Sequence, residues 1–208
     1  MAERATPDIK GFQKVFKIVK GKNNLPKLQI YSTPYSEAFY WRYKWANKFC
    51  KNKDVLEVPC GMGWGTSLLK RAKKIYGVDI SEEAINEAII RYKNNKIDFR
   101  TGTMEKLDFK DHQFDTVVCL EGIEHVDKQI GKKFITEAHR VLKNDGLLLV
   151  SSPRHTAKEH SGNPYHVYEY HLHELIELLS GYFIVDSIIR RSVDDLNVYY
   201  IAAHRFEK

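Results

Sequence analysis

The chain is poor in cysteine: it has Cys50, Cys60 and Cys119, an odd number set among apolar residues or in a glycine turn. That pattern excludes a disulfide framework and a zinc-ligand array, and the three read as reduced thiols of a cytoplasmic protein. Long apolar runs are also missing. Nothing approaches the ~20 consecutive residues that a membrane-spanning helix needs, and no apolar stretch follows Met1-Ala2-Glu3-Arg4 as a secretory leader requires. There is no internal repeat and no low-complexity tract. The charge is modest, +6 over 208 residues, without the arginine and aromatic density of dedicated nucleic-acid readers. At 43% hydrophobic residues the chain can bury a proper core in one domain.

What is present centres on Val55-Leu56-Glu57-Val58-Pro59-Cys60-Gly61-Met62-Gly63-Trp64-Gly65-Thr66. A short apolar run ends in an acid, glycines follow at alternate positions, and Ser67 to Lys73 is helix-compatible. The spacing predicts a strand, a tight turn and a helix start. Glycines allow the backbone to approach a ligand closely, and a helix N-terminus supplies unpaired N–H groups. A dinucleotide site reads G-x-G-x-x-G/A, and here the third glycine arrives too early. Glu57 beside the turn repels a pyrophosphate and favours a cationic ligand.

The strand and helix pattern then repeats. Ile75 to Ile80 is a second apolar run ending at Asp79, about 20 residues past the turn, where a βαβ unit holds the carboxylate that accepts from ribose hydroxyls. Ile80 is expected on the adenine face. Ser81 caps a helix whose Ile85, Ala88, Ile89 and Tyr92 share one side. Ile97 to Thr101 is a third strand, leading into Gly102-Thr103-Met104-Glu105. Phe114 to Glu121 is a fourth, apolar enough to be buried on both faces. A helix over Lys128 to Leu142, a turn at Asn144-Asp145-Gly146, a strand over Leu147 to Ser151 and a helix over His171 to Ser180 follow. Two last strands, Phe183 to Arg190 and Val198 to His204, are joined by too short a linker for a parallel pair. The expected fold is α/β: a Rossmann-like, seven-stranded, mostly parallel sheet with an antiparallel last strand and helices on both faces.

The stretch from Glu57 to Gly65, E-x-P-C-G-x-G-x-G, resembles the first motif of class I S-adenosylmethionine-dependent methyltransferases. Together with Trp41-Arg42-Tyr43-Lys44-Trp45-Ala46, Glu121-x-x-Glu124-His125-Val126 and Asn163-Pro164-Tyr165-His166-Val167-Tyr168-Glu169, the chain from about Tyr35 to Phe183 is similar to small type 11 methyltransferases found among bacterial glycan-assembly enzymes. The resemblance implies S-adenosylmethionine as cofactor, held by Arg42, Glu57, Pro59, Gly61, Gly63, Asp79, Ile80, Thr103, Met104, Glu105, Leu120 and Glu121. The family often has an acid at the Thr103 position. It also implies that a helix over Tyr35 to Cys50 lies on the pocket, with Arg42 facing the cofactor's carboxylate.

Methyl transfer to a hydroxyl needs a base, for which imidazole is suited. His125 is the first candidate and His166 the next, with His155 in the same loop. A competing reading makes Glu121, Glu124, His125 and a late histidine a divalent-metal site, as in RNA 3′-end and quinone-pathway methyltransferases with a similar E-x-x-E-H. The expected organisation is a basic N-terminal segment, residues 1–34, followed by a methyltransferase domain, residues 35–208. The acceptor is expected to be a small molecule, a sugar or glycan precursor. Lys10, Lys14, Lys17, Lys20, Lys22 and Lys27 keep nucleic acid open as an alternative substrate, although no Asn-Pro-Pro-Tyr motif ends the fourth strand. A binding module that has lost catalysis is the third reading.

Overall fold

The computed structural model describes residues 15–20, 26–31, 34–153, 163–193 and 196–206. Strands β1 (Val15–Lys20) and β2 (Pro26–Tyr31) pair antiparallel as a separate two-stranded sheet. The segment expected only as a basic extension therefore contains a hairpin; Val15, Val19 and their apolar neighbours suit strands.

The remainder runs α1 (Pro34–Ala46), β3 (Asp54–Glu57), β4 (Lys74–Asp79), α2 (Glu82–Tyr92), β5 (Ile97–Thr101), β6 (Phe114–Leu120), α3 (Lys128–Val141), β7 (Leu142–Pro153), α4 (Leu172–Ser180), β8 (Phe183–Val193) and β9 (Leu196–Arg205). The seven later strands form one sheet in the order β5-β4-β3-β6-β7-β9-β8. From β5 to β7 all neighbours are parallel, and β9 is antiparallel to both β7 and β8. This is the sheet expected from the sequence. The chain moves outward from β3 to β5 and then returns to place β6 on the other side of β3. The carboxyl ends of β3 and β6 therefore flank the switch point at which such sheets hold ligands.

Both faces of the sheet are buried, and strand periodicity decides which residue goes where. Leu56, Val117 and Leu148 pack with Phe134, Ile135, Ala138, Leu175 and Leu179, the apolar faces of α3 and α4. Their chain neighbours Val55, Val118 and Leu149 pack on the other face with Tyr43, Trp45, Ile85 and Ala88 from α1 and α2. The helix starts are capped. Ser81 Oγ accepts from the Ala84 N–H at 3.2 Å, and Asp127 Oδ1 from the Ile130 N–H at 2.8 Å.

Two local expectations are corrected. The segment after the glycine turn is not a helix but one 3₁₀ turn, Thr66–Leu68. Only Thr66 to Lys73 separate the turn from β4, too little chain for a helix and the return to the sheet edge. No helix N-terminus therefore faces the turn. The Asn144-Asp145-Gly146 turn lies inside β7, as an irregularity where Leu142 pairs with Phe114 and Leu147 with Thr116.

One glycine is required by packing. A Cβ on Gly65 would stand 1.9 Å from Tyr43 Cζ and 2.0 Å from its hydroxyl oxygen, and Tyr43 is buried and held. Gly65→Ala is expected to destabilise the fold by about 2 kcal/mol, read as a lowered urea midpoint. Gly181→Ala, where a Cβ meets nothing within 4 Å, should change stability by less than about 0.5 kcal/mol.

Candidate functional site

The turn after β3 is built over a buried acid. Glu57 is fully buried and its Oε1 accepts from the Tyr43 hydroxyl at 2.7 Å. Burial pushes its carboxyl up to about 7, against the hydroxyls of Thr66 and Tyr43, which favour the anion, while the Asp79 charge adds to the rise. The same burial and the Glu57 charge push the Tyr43 phenol upward. Glu57 therefore acts from beneath the turn and not as an exposed carboxylate in the cleft.

Above it, Gly61 and Gly63 adopt φ of +52° and +75°, the left-handed region open to glycine. A Cβ on Gly61 would meet nothing within 4 Å, so the turn opens on unfilled space there, whereas one on Gly63 would strike Phe99 and Ala88. At the end of β4, Asp79 Oδ2 accepts from the Gly61 N–H at 2.8 Å and Oδ1 from the Ser81 N–H at 2.9 Å. A carboxylate has about four acceptor positions, so Asp79 braces the turn and retains capacity for a ligand's hydroxyls. Ile80 beside it is 70% exposed, an apolar side chain waiting for a flat partner.

The other expected cofactor residues divide between rim and core. Pro59 and Thr103 are half-buried. Met104 and Leu120 are buried, the first in the core that backs the sheet. Glu105 is exposed and paired with Lys133 at 2.7 Å. Arg42, only 5% exposed, lies 3.8 Å from Glu121 Oε2 with its guanidinium over the Phe39 ring, and its Nε is buried without a hydrogen-bond partner. Glu121 has φ of +50°, unusual for a non-glycine residue. Its N–H donates to Ser151 Oγ, and that hydroxyl donates back to Glu121 Oε1 at 2.6 Å. These residues fit S-adenosylmethionine: a left-handed glycine cradle, a ribose-ready acid, an exposed apolar side chain for the base, and a guanidinium with an unsatisfied N–H.

Beside the cradle, at the end of β6, two imidazoles meet. Backbone N–H groups of Val167 and Tyr168 donate to the Glu124 carbonyl at 2.8 and 3.1 Å, which ties the 163–170 stretch to the turn after β6. His125 Nδ1 contacts the Tyr165 carbonyl at 2.9 Å. A carbonyl only accepts, so Nδ1 carries the proton and Nε2 the lone pair. His166 Nδ1 lies 2.5 Å from Glu169 Oε1 and its Nε2 3.0 Å from Asn163 Nδ2, which assigns the same tautomer. The ring centroids are 5.3 Å apart. Donor atoms of Glu124, His125 and His166 all fall within 4.8 Å of one another, a set able to hold a divalent ion. Glu121, expected in that set, instead faces Arg42 and Ser151. His155 lies outside the described residues.

Three contributors were not picked out from the sequence. Glu169 carries a signal, three residues after His166 in the Asn163–Glu169 stretch. Tyr43 was visible only as one residue of the Trp41–Ala46 stretch, with no functional role attached. Ser151 had none. Tyr43 and Ser151 act on partners 14 and 30 positions away in the chain.

A family model described as a methyltransferase domain matches residues 56–150. A protein of Mycolicibacterium smegmatis named "Probable S-adenosylmethionine-dependent methyltransferase" is 34% identical over 146 residues, 67% of this chain and 55% of that protein. One of the same description from Mycobacterium tuberculosis is 31% identical over 176 residues, 80% of this chain and 61% of its own length. The chain thus spans little more than half the length of these relatives. A crystal structure of a SAM-dependent methyltransferase from Methanosarcina mazei superposes with a TM-score of 0.68 at 18% identity, covering 78% of this chain and 97% of that one.

The Glu57 carboxyl supplies a pH test. Its folded value is raised from 4.5 to about 7, so between those limits the folded state binds more protons than the unfolded state. Its contribution is fully present below pH 4.5 and is lost as pH rises through 7, by about 3 kcal/mol in all. Glu57→Gln should remove that part of the pH dependence of the urea midpoint. An unchanged slope in the variant would show that another group carries it.

Proposed function

We propose that this chain is a class I S-adenosylmethionine-dependent methyltransferase and that it transfers a methyl group to a hydroxyl or amine of a small-molecule acceptor, a sugar or glycan precursor. The observation that carries this reading is the adjacency of two unlike half-sites. One is the glycine turn with Asp79, Ile80 and Arg42. The other is a pair of imidazoles, His125 with its Nε2 lone pair and His166 held between Glu169 and Asn163, on the turn after β6 and the stretch clamped to it.

S-adenosylmethionine, when bound, supplies an activated methyl on a sulfonium. The chain's own work is positioning and proton handling. Gly61 and Gly63 admit the donor's chain against the backbone, and Asp79 orients a sugar ring by accepting hydrogen bonds from its hydroxyls. Arg42 neutralises an amino-acid carboxylate. At the acceptor side, His125 Nε2 takes the proton of an attacking hydroxyl while the Tyr165 carbonyl holds its Nδ1–H in place. His166, held on one side by Glu169 and on the other by the Asn163 amide, positions the acceptor beside His125, and the Glu169 carboxylate stabilises its imidazole if it becomes charged.

A second reading has its own observation, the Glu124, His125 and His166 donor cluster. Imidazole and carboxylate together suit a divalent transition ion or manganese. On that reading Glu124, His125 and His166 would hold the ion, which would supply Lewis-acid chemistry, and an RNA end becomes a competing substrate. The two readings make opposite predictions about chelation.

Asp79→Ala should weaken S-adenosylmethionine binding by roughly 10- to 100-fold, measured by calorimetry. His125→Ala and His166→Ala should leave that affinity intact and lower transfer of labelled methyl by about 100-fold or more, scored over a panel of sugar precursors and RNA. Intact transfer in both variants, or label entering RNA alone, would remove the primary reading.

Treatment with EDTA should leave methyl transfer unchanged if the histidines act as bases. Loss of activity restored by manganese or zinc would establish the metal-assisted alternative.

A further inference from the structure

At the end of the sheet away from the glycine turn, the strand starts are ringed by cations. Lys51 and Asn52 precede β3, Lys70, Arg71 and Lys73 precede β4, and Lys96 precedes β5. Together they line a groove of about 550 Å³. All six are exposed, and no carboxylate residue lines the groove. Lys73 is tied to Asp54 at 3.2 Å. Among the described residues no ion pair engages Lys51, Lys70, Arg71 or Lys96. Their backbones are fixed from behind. The Asn52 N–H donates to the Arg71 carbonyl at 2.9 Å, and the Arg71 N–H to Asn47 Oδ1 at 3.0 Å.

Unbalanced positive charge held at fixed spacing around a concavity repels itself and costs stability unless an anion is bound. We propose that this groove binds the phosphodiester backbone of nucleic acid, at a site separate from the methyl-transfer cleft.

The chemistry of the lining selects this occupant. None of the exposed large apolar residues, Ile80, Ile90, Tyr165, Val167, Ile184 and Ile188 among them, lies in the groove. A membrane-surface site pairs basic residues with apolar side chains that insert, and these are absent from the lining. A concave run of cations is the form that tracks a phosphate backbone. With no aromatic ring in the lining, bases are not stacked, so binding is sequence-tolerant. A strand as long as β4 spans roughly 20 Å, so a polymer in the groove leaves Asp79 and Gly61 uncovered. The inference therefore stands whether the acceptor is a sugar or an RNA end.

The test is fluorescence anisotropy with a labelled single-stranded RNA of about 20 nucleotides. Five backbone contacts predict about a 100-fold loss of affinity between about 50 and 200 mM salt. The combined variant Lys70→Glu, Arg71→Glu, Lys96→Glu should bind at least tenfold more weakly and lower the log–log salt slope by about 2. Its affinity for S-adenosylmethionine should be unchanged, which separates this proposal from the methyltransferase reading. If charge reversal prevents folding, the Gln variants at the same positions should show the same direction. The proposal is overturned if the wild-type chain does not bind the RNA. It is equally overturned if the groove variants bind as wild type while reversal of Lys10, Lys14 and Lys17 abolishes binding, or if anionic phospholipid vesicles are bound and RNA is not.

Discussion

A single hydrogen bond, from the Tyr43 hydroxyl to the buried Glu57 carboxylate, joins the helix that covers the site to the turn that forms it. A carboxyl with no exposure is tolerated only with a partner or a proton, and α1 brings the partner. Its neighbours on that helix fix the placement. The Trp41 and Trp45 rings pack against Tyr200 with centroids 4.7 and 5.4 Å away, and Arg42 reaches Glu121. Thus α1 spans β3, β6 and β9, and the glycine at position 65 is the space that the Tyr43 ring occupies.

A second clamp organises the opposite wall. The 163–170 stretch is tied to the end of β6 through backbone bonds to the Glu124 carbonyl. Only that tie brings His166 to His125. Glu121, between the two walls, takes a left-handed backbone, and Ser151 satisfies both its N–H and its carboxylate. Such a backbone persists where surrounding bonds over-determine it, and here Ser151 and Arg42 hold the Glu121 side chain. The sheet also separates charge along its strands. Asp79 and Glu121 stand at the carboxyl ends of β4 and β6, with Glu57 buried beneath the turn, while lysines gather at the amino ends.

Much of this was readable from residue order. The alternation of apolar runs with amphipathic helices gave seven strands and their sense, and the short link between the last two strands required the antiparallel closure. Ser81 as a cap and Asp79 at a strand end were legible because each depends on chain neighbours. The helix after Gly65 was misread because propensity over Ser67 to Lys73 says nothing of the short distance back to β4. Glu57 was read as a carboxylate facing a ligand because its burial under Tyr43 depends on a helix 14 positions earlier.

Residue order was enough for the sheet's strands and the glycine cradle, since these follow from local periodicity and from the dihedral freedom of glycine. Tertiary structure alone decided that Glu57 is buried, that Arg42 faces Glu121, that His125 and His166 share one pocket with Glu124 and Glu169, and that lysines from three separate strand starts ring one groove. Those outcomes depend on which distant segments are brought side by side, and side-chain protonation, pairing and burial are set by neighbours in space.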